Sequence, residues 1–417
     1  MKRNAIQKGV DFIGRQQEPF KVNLVRATSQ SFLTHLVRQY QPIYILRLGA
    51  TNFQLGLINS IGGIAGTVIA PPTGWLADKY GIRKVFLVAT PLMVLGSLLF
   101  TVAWTWMATI PALLLTLLAE QLLMIACPMV CGSYLKSEER ATGKQFCDAI
   151  STVPGLFAPM IAAIVIARFG GLTAEGIRPL YYICAVGFSL SLVWVYARYS
   201  DILKNDAQLA LPRFAEDMKE VFERGNAVRS WLACLLLSST SMYIGLVYLP
   251  IYVAEVKHGN EFVVGSVATA SLILPVFLAM AVGRFADTFG RKKSLYVTIS
   301  LYCLSILLLI GAQNTPMLLV SGVLQGFYTL SAVTQGAISA ELVHVSLLGR
   351  WYGIINVFTG MARIAGPIFG AVIWSVFGPN YVFFSIILLE VSNMAILWLK
   401  IPETLRPVQP VQSSLLR

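Results

Sequence analysis

Residues 74–84 read GWLADKYGIRK, and residues 283–293 read GRFADTFGRKK. Each gives Gly, three residues, Asp, two residues, Gly and then a basic pair, Arg83–Lys84 in one copy and Arg291–Lys292 in the other. The offset is 209 in a chain of 417 residues, and each copy stands between two apolar stretches. A repeat at half the chain length, punctuating apolar runs, predicts a duplicated membrane protein.

Composition agrees. Hydrophobic residues make up 56% of the chain and charged residues 12%, against about a quarter charged in a soluble domain. Mean hydropathy is +0.69. Apolar segments long enough to span a bilayer are expected at 23–48, 53–77, 84–104, 107–132, 144–168, 176–198, 229–255, 261–285, 293–312, 316–341, 350–377 and 380–400. The fold class expected is an all-α membrane protein of twelve transmembrane helices in two pseudo-symmetric six-helix bundles. The domain boundaries expected are a cytoplasmic segment 1–22, a first bundle 23–198, a cytoplasmic linker 199–228 whose FAEDMKEVF stretch suits an amphipathic helix, a second bundle 229–400 and a cytoplasmic tail 401–417.

The net charge of +12 takes its meaning from position. With both termini inside, 26 Lys and Arg fall on the inner side and only Arg47, Arg168, Arg178 and Lys257 outside, with Arg38 and Arg363 within the membrane. That bias predicts cytoplasmic termini. It also makes the basic residues topology anchors, so nucleic acid is not an expected partner. The N-terminus lacks an apolar signal-peptide core. The absence of any N-x-[ST] acceptor favours a prokaryotic inner membrane. The six cysteines lie in or beside apolar segments and lack the spacing of a four-ligand metal site, although Cys127 and Cys131 share a helix face. They are read as small apolar filler, and no metal is expected.

The duplication extends beyond the loop. Pro42-Ile43-Tyr44-Ile45 matches Pro250-Ile251-Tyr252-Val253, and Gly56 matches Gly265, Arg140 matches Arg350 and Pro159 matches Pro367, all at offsets of 208 to 210. Parallel halves related by an axis along the membrane normal are a transporter architecture.

On these motifs the chain resembles the major facilitator superfamily over nearly its full length. Gly74–Lys84 looks like the loop 2–3 signature of that superfamily, Gly283–Lys293 its second copy in loop 8–9, and Ile401-Pro402-Glu403-Thr404 the segment after the last span. The resemblance implies alternating access by two rocking bundles and a gating role for Gly74, Asp78, Gly81 and Arg83 and for Gly283, Asp287, Gly290 and Arg291. The Asp of each copy would latch the cytoplasmic side in the outward-facing state. Gly155–Ala163 looks like a degraded form of the antiporter signature of span five, with Ala158, Ala162 and Pro154 at Gly positions; the better match, Gly366-Pro367-Ile368-Phe369-Gly370, lies in span eleven. No sugar-porter signature follows span six.

Ionisable groups within the bilayer are costly and mark function. Span one carries Ser31, Thr34, His35, Arg38 and Gln41 on one face. With Gln121, Ser239, Tyr243, Gln325 and Arg363 they are the candidate substrate-binding residues. Tyr243 aligns with His35, but Leu246 aligns with Arg38, so that charge is not a duplicated feature. Glu120 and Asp148 are the candidate proton-coupling carboxylates. Asp148 lies nearer the cytoplasmic end, with Lys144 in pairing register, and gating or packing is its other reading. Two arginines against one central carboxylate favour an anionic or zwitterionic solute. If Arg38 and Glu120 neutralise each other, the cavity suits drug-like solutes instead.

The function expected is secondary active transport of a small organic solute, driven by a proton or solute gradient without a cofactor, by a monomer in the lipid bilayer. A multidrug/proton efflux antiporter of the same fold is the alternative, and a non-transporting solute sensor the reading from another class. No nucleophile–base pair or ATP-binding loop suggests an enzyme or an ATP-driven pump.

Overall fold

The computed structural model describes residues 12–124, 126–135, 139–200, 226–343 and 348–404, with backbone alone for 68–79, 126, 140–142, 145 and 348–350. The expected amphipathic helix in the 199–228 linker and the Asp78 side chain lie outside the described residues. The helices are α1 (Glu18–Arg38), α2 (Gln41–Arg47), α3 (Asn52–Tyr80), α4 (Ile82–Val102), α5 (Thr109–Met124), α6 (Ala126–Tyr134), α7 (Arg140–Arg168) and α8 (Ala174–Arg198) in the first half. The second half holds α9 (Asn226–Ile251), α10 (Glu261–Phe289), α11 (Arg291–Gly311), α12 (Thr315–Glu341), α13 (Leu348–Val376) and α14 (Pro379–Lys400). The described residues contain no strand.

Ten of the described spans are long and apolar enough to cross a membrane. Expected spans 23–48 and 53–77 are not among them. The first is broken: α1 stops at Arg38 and α2 resumes at Gln41. Pro42 lacks an N–H, and its ring clashes with the carbonyl four residues back, that of Arg38. The aligned Pro250 is accommodated differently, inside α9, with a π-helical turn at Tyr252–Val256 just after it. The second, α3, has 29 helical residues.

The two halves repeat one packing plan. In the first, α1 packs on α7 and α8, α4 on α5 and α8, and α3 on α5. In the second, α9 packs on α13 and α14, α11 on α12 and α14, and α10 on α12. Across the halves, α3 meets α13 and α7 meets α10. The turns repeat as well. Gly49 and His258, Gly81 and Gly290, and Gly170 and Gly378 all have positive φ, at offsets of 209, 209 and 208. His258, at φ 52°, is the one non-glycine among the described residues with positive φ.

One face of the molecule carries both described ends and the Gly81 and Gly290 turns; Gly49, Gly170, His258 and Gly378 mark the opposite face. Two tyrosines close the halves together near that opposite face. Tyr40 Oη donates to the Pro159 carbonyl at 3.1 Å and to that of Glu261, in the other half, at 2.9 Å. Tyr248 Oη reaches the Pro367 carbonyl at 3.0 Å and that of Asn52, in the other half, at 3.4 Å. Tyr40 and Tyr248 are 208 apart, as are Pro159 and Pro367. Gly56 and Gly265 leave room for these rings: a Cβ would lie 2.7 Å from Tyr248 Oη at the former and 2.7 Å from Tyr40 Oη at the latter. Arg47 and Glu255 add a cross-half ion pair at 3.6 Å.

The apolar core follows the same division. One cluster runs through the first half and across to Tyr248, Tyr252, Val264 and Ala371 on the opposite-face side of the second. The terminal-face end of the second half has its own cluster around Trp231, Trp351 and Leu397. The cations on this opposite face are held locally. Arg178 Nη2 donates to the Ala103 carbonyl at 2.9 Å and its guanidinium lies 4.5 Å from the Trp104 ring, and Lys257 Nζ donates to the carbonyls of Ile310 and Ala312.

The turn of the second loop motif is tied to the tail. Glu403 accepts from the backbone N–H groups of Arg291, at 2.9 Å, and Lys292, at 3.2 Å, at the start of α11, satisfying two of the free donors of a helix N-terminus. Gly290, at φ 111° and ψ 146°, occupies a conformation almost confined to glycine, and a Cβ there would sit 2.8 Å from Glu403 Oε2. Gly290→Ala is therefore expected to lower the thermal unfolding midpoint in detergent by the equivalent of about 1–3 kcal/mol. Gly336→Ala, in open space inside α12, should instead raise stability by up to about 1 kcal/mol.

Candidate functional site

A cavity of about 120 Å³ lies beside the break after Arg38, walled mainly by the first half. Thr34, Arg38 and Gln41 line it from α1 and α2, Asn59 from α3, Ser97 from α4, and Thr116 and Glu120 from α5. The remaining wall is apolar, with Met93, Phe100, Leu113, Leu117 and Phe188 from the first half and Leu246 and Val247 from the second. Arg38 is exposed to this space and Glu120 is half-buried. Glu120 lies in the field of both Arg38 and Arg363. Their aligned partners in the second half are uncharged: Leu246 for Arg38 and Tyr328 for Glu120.

Arg363 of α13 makes a second polar centre. Its Nε donates to Tyr243 Oη at 3.0 Å, with the guanidinium 5.5 Å from the ring centroid. Turned so that its oxygen faces the guanidinium, the Gln121 amide accepts from Nη1 and from Nη2, the latter at 3.1 Å. The arginine thus joins α5 of one half to α9 and α13 of the other. Glycines on α3 make the room: a Cβ on Gly66 would meet Arg363 Nη1 at 2.8 Å and one on Gly63 the Arg363 carbonyl at 2.9 Å. In the first half the aligned pair is His35 and Gly155. There the ring packs on the glycine, whose Cβ would lie 3.1 Å from His35 Nδ1 and 3.2 Å from Ser31 Oγ. His35 Nδ1 also contacts the Ser31 carbonyl at 2.7 Å.

The sequence-derived candidates therefore separate. Arg38, Gln41 and Glu120 line one cavity; Gln121, Tyr243 and Arg363 form one hydrogen-bonded group. Ser31 and His35 face α7 and are not part of the cavity wall. Ser239 is half-buried, and Gln325 donates to Ser321 Oγ on its own helix at 3.3 Å. Asp148 is exposed and pairs with Lys144. Of the candidate gating residues, Arg291 Nη1 pairs with Asp287 at 2.5 Å and Nη2 with Glu341 at 3.1 Å. Thr404 Oγ1 donates to Glu341 Oε2 at 2.6 Å, so the tail closes the same cluster. Arg83 Nη2 donates to the Tyr196 carbonyl at 3.2 Å. Gly74 lies in the last turns of α3, and Gly283 faces open space.

Sequence reasoning passed over several of these groups. Tyr40 and Tyr248 precede the matched Pro-Ile-Tyr anchors by two residues and share their register, a signal that was available. Glu403 was marked only by its place in the segment after the last span, and Glu341 only by standing at the end of an expected span. Glu390, 1% exposed, is buried in the second half and accepts from Asn393 Nδ2 at 3.2 Å; Cys234, Tyr302, Cys303 and Tyr328 lie in its field.

Comparison with known proteins places this geometry in a family. The family model described as Major Facilitator Superfamily matches residues 27–261 and again 231–415. Among curated relatives, the chain is 26% identical over 415 residues to the Multidrug resistance protein MdtG of Serratia proteamaculans (strain 568), covering 91% of this chain and 93% of that one. It is 24% identical over 387 residues to the Multi-drug resistance efflux pump PmrA of Streptococcus pneumoniae serotype 4, covering 88% and 92%. The fold is that of the solved nucleoside transporter NupG, with a TM-score of 0.72 at 14% identity over 91% of this chain and 99% of that one. A D-xylose–proton symporter gives 0.70 at 13% identity over 93% and 98%. With its duplicated loop, its repeated packing plan and two family matches that together span almost the whole chain, this protein belongs to the major facilitator superfamily.

Proposed function

We propose that this protein is a secondary transporter that exports amphipathic organic solutes in exchange for protons. One observation carries the choice of solute. Arg38 and Glu120 bring opposite charges to a single cavity whose wall is otherwise mainly apolar. Such a site has little net charge to attract a compact anion, and its aromatic and aliphatic surface suits an apolar body with one polar group. The names of the MdtG and PmrA relatives, a multidrug resistance protein and a multi-drug resistance efflux pump, support the same reading.

The mechanism follows from the groups present. The bias of 26 basic residues to 4 supports a cytoplasmic terminal face. The tyrosine contacts then close the outer side, leaving the cavity to load from within. When Glu120 is ionised it balances Arg38; when protonated it frees the guanidinium and ends that balance. Solute and proton thus compete for one electrostatic arrangement, which is the condition for antiport. Rocking must break the Tyr40 and Tyr248 bonds to the opposite half and bring the terminal faces together, where Asp78, Asp287 and Arg291 act as the latch. Arg363, bonded to Gln121 across the halves, is the central pivot. No cofactor takes part, and one chain holds the whole pathway.

A second reading, transport of an anionic or zwitterionic metabolite, is favoured by the exposure of Arg38 and the nearby Arg363. Proteoliposomes under an imposed pH gradient separate the two. Export of a lipophilic cation such as ethidium, unmatched by a lipophilic anion such as anilinonaphthalenesulfonate, is expected; transport of the anion alone selects the second reading, and flux of neither removes both.

Two substitutions test the roles. Glu120→Gln is expected to reduce gradient-driven ethidium export at least tenfold, about 1.4 kcal/mol or more, while solute exchange without a gradient persists. Retained proton-coupled export would move that role to another residue. Arg38→Leu should spare a neutral amphipathic solute and abolish any anionic one, measured as initial rates in the same vesicles.

A further inference from the structure

Three of the six cysteines, read from sequence as apolar filler, converge where α1, α6 and α7 meet near the terminal face. Cys127 Sγ approaches Cys147 Sγ to 3.2 Å, from one helix to the next. Cys131 lies one turn along α6, and the Asn23 amide of α1, its nitrogen buried without a hydrogen-bond partner, is also close to Cys127. All three thiols are free. Cys127 is half-buried; the other two are buried.

Their surroundings are unusual for filler. Arg26 of α1, 3% exposed, lies in the field of Cys127, Cys147 and Tyr199. Its Nε and Nη2 donate to Asn23 Oδ1 at 3.2 and 3.0 Å, its Nη1 to Gln30 Oε1 at 2.5 Å, and its guanidinium lies 4.5 Å from the Phe86 ring. Among the described residues its polar partners are amides, so a buried cation stands beside sulfur without a carboxylate to balance it. Lys144 of α7 is a second cation in the field of Cys127 and Cys147, and Asp148, its partner, faces Cys131 and Cys147. A partly exposed thiol among cations, with another thiol in reach, is the setting of a reactive cysteine rather than a structural one. Cys147 lies seven residues into α7, about 10 Å from its start at 1.5 Å per residue.

We propose that Cys127 and Cys147 are a reversible oxidation site that takes a hydroperoxide and ties α6 to α7 by a disulfide. Cys127 sulfur attacks one peroxide oxygen: the S–O bond forms, the O–O bond breaks, and the departing oxygen leaves as water or alcohol with the thiol proton. Cys147 sulfur then attacks Cys127 sulfur. The S–S bond forms, the S–O bond breaks, and hydroxide leaves as water with the Cys147 proton. Two thiols lose two electrons and two protons in all, and the peroxide is reduced. A cellular dithiol reverses the step by exchange. On the cytoplasmic side of a membrane such a bond is transient and sensing rather than structural. Its effect is mechanical: α6 is the segment of span four beyond Met124, and α7 carries the Pro159 carbonyl that receives Tyr40.

The test uses the full-length protein in lipid nanodiscs, treated with hydrogen peroxide and then alkylated. Peptide mapping should show a Cys127–Cys147 disulfide in most molecules, removed by dithiothreitol and unaffected by Cys131→Ser. Cys147→Ser should instead leave a dimedone-reactive sulfenic acid at Cys127, and Cys127→Ser should abolish both products. Amide exchange over 126–134 should slow several-fold on oxidation of the wild type but not of Cys147→Ser. Equal alkylation of all six cysteines with and without peroxide, a Cys127–Cys131 bond in place of the inter-helix bond, or unchanged amide exchange despite the bond would each overturn the proposal.

Discussion

Two buried phenol groups decide which side of this molecule is closed. Tyr40 and Tyr248 are fully buried, and a buried hydroxyl without a partner costs about 1–3 kcal/mol. Each finds two backbone carbonyls, one in its own half and one in the other. The acceptors are fixed by helix backbone, so the bonds form only when the opposite-face ends of the halves meet. Gly56 and Gly265 permit the approach, and one apolar core is continuous across that end. The position of the central cavity, the exposure of Arg38 and the separate core at the terminal end of the second half are all consistent with that closure.

The duplication divides the molecule into a symmetric frame and an asymmetric interior. The frame includes the tyrosines, the three pairs of positive-φ turns and the helix packing plan. The interior breaks the symmetry where chemistry is needed. Leu246 stands opposite Arg38, Tyr328 opposite Glu120 and Gly155 opposite Arg363. A charge placed in one half only creates a field directed across the cavity, which a duplicated charge would cancel or repel. The Pro42 break belongs to the same division, since the aligned Pro250 leaves α9 helical and displaces the irregularity to a π-turn.

Much of this was legible in the residues. The loop motif, the 208–210 register and the charge bias carried the halves and most of the spans, because they depend on composition and period alone. The interruption of span one was not found, since hydropathy does not register a steric clash between Pro42 and a carbonyl four residues earlier. Period placed Ser31 and His35 on the stripe of Arg38, but the two turns face Gly155, a contact set by the rotation of α1 against α7. The cap of Glu403 on α11 joins segments more than a hundred residues apart, and the convergence of Cys127 with Cys147 depends on how two helices meet. Such contacts are tertiary, and no local pattern encodes them.

The central claim is that the tyrosine bonds hold one face shut and that opening it closes the other. Spin labels at Thr105 and Gln313 report on the opposite face, and labels at Lys84 and Lys293 on the terminal face; all four positions are exposed. Pulsed electron–electron resonance in nanodiscs should give a short distance for the first pair and a long one for the second. In the Tyr40→Phe/Tyr248→Phe double variant, the first distribution should move to longer distances and the second to shorter ones together. Distributions that stay unchanged, or a first pair that lengthens while the second does not shorten, would contradict the account.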